Sequence, residues 1–279
     1  MKDKLKVLFA TDFSPASRIA SQLLKSLQQS YTISLSLIHV IPSFWKDWFA
    51  SQTYKREASQ RLQTWQIDLT AKKDLKKLDV QYGNPADMIL QKAQTAKANL
   101  IVLGGKVISA TGRYKTGTTV EAVARHAKQS ILVCKNDNIS RILCGVDTSR
   151  SSAKALRFAI DLSHRFSASL CIIHVIPYGD VNPLGLNEQE ERELIERFKV
   201  EQVDKLENFL ANFDFSNIII KKCYPFGIPA NNILDMAEDF KYDLIIVGAK
   251  GHSILHHVFI GSTSEKILRY APCSLLIVR

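Results

Sequence analysis

Asp12, His39 and Pro42 recur as Asp147, His174 and Pro177, each 135 residues further on. Gly83, Gly104, Gly117 and Arg125 recur as Gly227, Gly248, Gly261 and Arg269, each 144 further on. A repeat of that length in 279 residues predicts two copies of one module, residues 1–138 and 139–279, each the size of an ordinary domain. The nine-residue difference between the two offsets places an insertion between Pro177 and Gly227, around the acidic helix NEQEERELIERFKVEQVDKLENFL. That helix is therefore longer than its counterpart, or reached by a longer loop.

Within the first copy, Val7–Ala10, Leu35–Val40, Leu78–Tyr82, Leu100–Leu103 and Ile131–Cys134 read as short apolar strands. Helical stretches fall between them. Pro15 opens one with Ile19, Ala20, Leu23, Leu24 and Leu27 on one stripe, and a longer one covers about 52–74. Gly83 and Pro85 start a third through Met88, Ile89 and Leu90, and Val120–Ala127 sits in a fourth. Apolar strands alternating with helices predict an α/β fold with parallel sheets covered on both faces. In such a sheet the ligand crevice lies beyond the carboxyl ends of the strands, where strand order reverses. In the second copy Asp147, Val175 and Gly248 fall at that edge.

The stretch Leu244–Ser264, LIIVGAKGHSILHHVFIGSTS, carries the most chemistry. A buried strand runs into Gly248, Lys250 and Gly251, and after nine further residues Gly261 and Ser262 head a helix. Glycines at a strand end and a helix start let backbone amides approach an anion closely, and a nucleotide's phosphates are the anion expected. Ser262 with Glu265 also has capping-box spacing, which would satisfy the helix's first amides without a ligand. A cap leaves Gly248 and Gly251 unexplained.

This GxxG, nine residues, GS pattern, the GxPA of Gly227–Ala230 and the closing GSTSEKILRYAPCSLLIVR resemble the universal stress protein family, over essentially all 279 residues. The resemblance implies two tandem doubly wound domains, each a five-stranded parallel sheet in the order 3-2-1-4-5 flanked by helices. It implies pairing through their last strands, Ser130–Lys135 against Ser274–Arg279, as a pseudo-dimer within one chain. It also implies ATP, with magnesium accompanying it, as the ligand of the second copy. Asp147 and the backbone of Val175 would hold the adenosine end; Gly248, Lys250, Gly251, Gly261, Ser262, Thr263 and Ser264 would surround ribose and phosphates. The same positions of the first copy, Asp12, Val40, Gly104, Gly117 and Thr118, form a degenerate second site. There Val107 replaces the glycine equivalent to Gly251, and a β-branched residue resists positive φ and fills ligand space. Thr118 with Glu121 repeats the capping-box spacing, and GRYKTGTT, Gly112–Thr119, fails as a P-loop because Thr118 stands where the lysine must be.

Phe44, Trp45, Trp48 and Phe49 crowd the loop after the second strand; an apolar ligand pocket, a partner surface or packing under the next helix would each account for them. His252 and His256 have the i, i+4 spacing of a metal pair, with His257 beside them. No carboxylate or cysteine near them in sequence completes a set, so no metal site is assigned. His39 and His174 read as satisfied core histidines. Cys134, Cys144, Cys171, Cys223 and Cys273, with no CxxC, read as reduced buried thiols.

The net charge of +10 resides in the first copy, where 21 Lys and Arg face 10 Asp and Glu, against 16 and 17 in the second. Lys72, Lys73, Lys76 and Lys77, without interleaved aromatics, read as a solvated face rather than a nucleic-acid surface. No apolar run reaches the roughly 18 residues of a membrane span, and the N-terminus lacks a signal-peptide pattern, so the expected location is the cytoplasm. No Ser, His and acid constellation and no paired carboxylates accompany the glycine loop. No catalytic residue is assigned, and slow ATP hydrolysis is the most an enzyme reading supports. The expected function is nucleotide-dependent regulation in a stress response, with ATP ordering the loop Lys250–Ile260 against an unknown protein partner. The alternatives are a slow ATPase, or a nucleotide-free interaction scaffold whose basic first copy takes an apolar or anionic ligand. The tandem chain would act alone or pair again as a homodimer.

Overall fold

In the computed structural model, residues 5–43, 51–70, 78–105, 116–177, 187–251 and 260–279 are described. Phe44, Trp45, Trp48, Phe49, Lys72, Lys73, Lys76, Lys77, Val107, His252, His256 and His257 lie outside the described residues. The chain forms two compact units, Met1–Asn138 with Leu268–Ile277, and Ile139–Ile267 with Val278–Arg279.

In the first unit β1 (Leu5–Ala10) lies between β2 (Ile33–Pro42) and β4 (Leu100–Gly104). Outside these are β3 (Leu78–Gly83) on β2 and β5 (Ser130–Cys134) on β4, all parallel. This is the expected order 3-2-1-4-5. Parallel neighbours need long crossovers, here α1 (Pro15–Ser30), α2 (Ser51–Thr70), α3 (Pro85–Thr95) and α4 (Thr118–His126). Helices on a sheet bury its strands, and every residue of β5 is buried, hence apolar runs instead of alternation. Ser14 caps α1 by accepting the Ser17 amide, Pro15 supplies its first turn, and Ala20, Leu23, Leu24 and Leu27 face the sheet side as buried residues.

β10 (Ser274–Val278) runs antiparallel to β5, with Leu275 opposite Val133, Leu276 opposite Leu132 and Ile277 opposite Ile131. The pairing expected between the last strands is present, and it covers an apolar strand edge. Lys135, just past β5, is buried: its amide donates to Ser274 Oγ at 2.9 Å and its ammonium to the Ala271 carbonyl at 2.5 Å. Burial pushes the Lys135 ammonium down to about 8, against a weaker opposite effect of Cys273. The unfolded chain holds this proton up to about 10.5, so folding stability should rise as pH increases from 8 to 10.5. In Lys135→Met that rise should vanish, as urea denaturation at both ends of the window would measure.

In the second unit β6 (Arg141–Gly145) lies between β7 (Ser169–Ile173) and β9 (Leu244–Gly248), with β8 (Ile220–Cys223) outside β7, all parallel. The helices are α5 (Arg150–Phe166), α6 (Glu188–Leu210), α7 (Pro229–Asp239) and α8 (Ser262–Tyr270). Among the described residues α6 has 23 residues and α2 has 20, and an Asn187–Glu190 capping box opens α6. No helix of the described residues is long and apolar enough to cross a membrane.

Gly104 and Gly248 end β4 and β9 where a helix start comes down on the strand. A Cβ on Gly104 would stand 2.6 Å from the Ala16 carbonyl carbon and 2.7 Å from the Ser17 nitrogen. On Gly248 it would stand 2.5 Å from Ser151 Oγ and 2.8 Å from the Ser151 carbonyl carbon. Both glycines are therefore required by helix-on-strand packing, a reason independent of any ligand.

Candidate functional site

Asp147 holds the turn from β6 into α5. Its Oδ1 accepts the Ser149 amide at 3.1 Å, and Ser149 Oγ accepts the Ser152 amide at 3.1 Å to cap the helix. Between them Thr148 takes φ 64°, as Phe13 does with φ 61° in the first unit, so both copies force a left-handed turn on a residue with a bulky side chain.

Beyond β9 the chain passes this turn. The Lys250 amide donates to Ser151 Oγ at 3.3 Å, and a Cβ on Gly251 would lie 2.6 Å from Asp147 Oδ2. The Gly261 amide donates to the Ala249 carbonyl at 2.7 Å, and the Gly261 carbonyl accepts the Glu265 amide at 2.8 Å. Gly261 thus occupies the cap position of α8 and Ser262 is its first helical residue, one place later than capping-box spacing assumes. The same correction applies to Thr118 and Glu121: Gly117 caps α4, with no side-chain hydrogen bond at that cap among the described residues. A glycine cap has no side-chain oxygen to satisfy the first amides of a helix, which leaves them to water or a ligand. The Ser264 hydroxyl donates to the Gly248 carbonyl at 2.7 Å and fastens the helix start to the strand end.

These pieces line a cavity of about 290 Å³. The nine positions named from sequence all border it: Asp147, Val175 beyond β7, Gly248, Lys250 and Gly251 beyond β9, and Gly261, Ser262, Thr263 and Ser264 at α8. Pro229 of the GxPA motif adds apolar wall, and so do Ile173 and Ile233, which the sequence alone did not single out. Its lining brings these apolar side chains together with a helix N-terminus and an exposed lysine, and the last two are suited to an anionic group.

The first unit has a cavity of about 390 Å³ in the corresponding place. Asp12, Val40 and Gly104 border it, whereas Gly117 and Thr118 do not; Thr119, Val120 and Tyr54 of α2 take part instead. Asp12 Oδ1 accepts the Ser14 amide at 3.0 Å and the Ser17 hydroxyl at 2.7 Å. Burial raises the Asp12 carboxyl, but the hydrogen bonds from Ser14 and Ser17 outweigh it and hold the group below the usual range. In the second unit the equivalent Ser152 hydroxyl turns to the Ser149 carbonyl, at 3.0 Å.

His39 and His174 each place Nδ1 2.8 Å from a backbone carbonyl, of Thr11 and Val146 respectively. Their buried Nε2 atoms have no hydrogen-bond partner among the described residues, so these core histidines are satisfied at one nitrogen only. Burial lowers His39 from 6.5, the Thr11 carbonyl and Asp12 raise it, and Arg61 lowers it. The unfolded chain therefore binds the proton first as pH falls. The stability contributed by a neutral His39 is full above 6.5 and should decline below it, with a shallower decline in His39→Gln, as thermal melts between pH 7.5 and 5 would measure. Among the described residues no group of three or more His, Cys, Asp or Glu side chains is placed to hold a metal ion.

Solved structures of similar fold include a universal stress protein from Archaeoglobus fulgidus, with TM-score 0.65 and 20% identity over 98% of both chains. Another is a functionally unknown protein from Pseudomonas aeruginosa, with TM-score 0.66 and 15% identity over 99% of this chain and 93% of that one. Among curated relatives, a universal stress protein of Methanocaldococcus jannaschii is 32% identical over 141 residues, 50% of this chain and 81% of the relative. One from Bacillus subtilis is 32% identical over 146 residues, 50% of this chain and 99% of the relative. The model of the universal stress protein family matches residues 5–135 and again 138–279. With a family match in each half of the sequence, the chain belongs to the universal stress protein family as a tandem of two of its domains.

Proposed function

We propose that the chain binds ATP in the crevice of its second half and acts as a nucleotide-dependent regulator. One observation carries this reading: nine positions from four separate segments, among them the glycine-capped start of α8, border a single cavity. The residues fit the ligand. The first amides of α8 and the Lys250 ammonium suit phosphates, Ile173, Val175 and Ile233 suit a base, and Asp147 suits a ribose hydroxyl. Magnesium would enter bound to the triphosphate. Among the described residues that border the cavity Asp147 is the single carboxylate, and it already holds a turn, which favours binding over hydrolysis.

A second reading assigns the first half a different ligand. Its cavity is the larger and is bordered by Ile38, Ile41, Pro42, Ile89 and Leu103, which favours an apolar guest. Isothermal titration of the full chain with ATP and magnesium separates the readings. One site per chain is expected; two sites would mean that both halves bind ATP, and no heat at any concentration would leave the scaffold reading in possession.

A further inference from the structure

Cys171 lies in β7 and Cys223 ends β8. The parallel register sets Cys171 beside Lys221 and Ile173 beside Cys223, so the two cysteines are diagonal neighbours on one face of the sheet. Their sulfurs are 3.8 Å apart. A disulfide needs about 2.05 Å, so the atoms must close by less than 2 Å. β8 can yield: it has four residues and, among the described strands, pairs only with β7. Cys223 is partly exposed while Cys171 is buried, so an oxidant reaches Cys223 first. Burial and the neighbouring Cys223 push the Cys171 thiol up to about 11 despite a hydrogen bond from Tyr242, which also leaves Cys171 as the second thiol to react.

We propose that Cys171 and Cys223 are a peroxide-sensitive dithiol that closes to a reversible disulfide between β7 and β8. The Cys223 thiolate attacks hydrogen peroxide; an S–O bond forms, the O–O bond breaks, and the departing hydroxide takes a proton to become water. The sulfur of Cys171 then attacks the sulfenic sulfur. The S–S bond forms, the S–O bond breaks, and the leaving hydroxide carries away the Cys171 proton as a second water. Two thiols lose two electrons and two protons, and one peroxide becomes two waters. The cross-link ties together the strands that lead to Val175 and Pro229 at the crevice, but nothing in this chemistry requires a nucleotide.

The test uses the full chain, reduced and freed of reductant, then treated with hydrogen peroxide and unfolded for thiol counting. Five cysteines are present, so the count should fall from five to three, peptide mass spectrometry should find Cys171 joined to Cys223, and dithiothreitol should restore five. Cys223→Ser, at a partly exposed position, should keep its four thiols under the same treatment. A bridge between other cysteines, a bridge between chains, over-oxidation of Cys223 without a bridge, or five surviving thiols would each overturn the proposal. The wild-type map decides even where the variant folds poorly.

Discussion

Gly251→Val should weaken ATP binding by roughly 100-fold, about 3 kcal/mol, while leaving the fold intact. Gly251 is exposed and lies past the end of β9, so the sheet does not depend on it. A Cβ there stands 2.6 Å from Asp147 Oδ2, so valine pushes the carboxylate from its place and sets two methyls in the cavity. Titration calorimetry reads the affinity, and circular dichroism reads the fold. Equal affinity in wild type and variant would remove Gly251 and Asp147 from the site. The first copy carries valine at this position, Val107, so the substitution also imposes on the second copy the feature that argues against a phosphate site in the first.

The largest stability effect is expected at Gly104. Alanine there puts Cβ 2.6 to 2.8 Å from backbone atoms of Ala16 and Ser17, which cannot rotate away, so α1 must lift from the sheet. The expected cost is roughly 2–4 kcal/mol. Gly117→Ala is the matched control. No described atom lies within 4 Å of its Cβ position, and φ −72° suits alanine, so only the poorer cap should be felt, at most about 1 kcal/mol. Urea denaturation of both variants measures the difference. Similar midpoints would mean that α1 does not press on β4 as described.

The repeat made most of the fold legible. Offsets of 135 and 144 residues between polar and glycine positions locate strand ends, because those are the places where a doubly wound module cannot vary its chemistry. Buried apolar strands such as Ile131–Cys134 announce themselves for the same reason. Helix starts were less legible. Ser262 and Thr118 have capping-box spacing, yet the cap position of each helix falls one residue earlier, on a glycine, a choice made by backbone geometry that side-chain spacing does not encode. Gly248 looked like a ligand glycine and is also a packing glycine, since the helix start that crowds it is distant in sequence. Tyr54, Pro229 and Ile233 reach the cavities from helices whose docking on the sheet no local pattern reveals. The approach of Cys171 to Cys223 depends on strand register in the same way.

Diffraction from crystals of the full chain grown with ATP and magnesium tests the division of labour between the two copies most directly, because it samples both crevices at once. The expected density is a nucleotide between Asp147 and the start of α8, its phosphates on the amides of Ser262 to Ser264, with none beside Asp12. A nucleotide held against Asp12 while the crevice at Ser262 stays vacant, or none in either crevice, would contradict it.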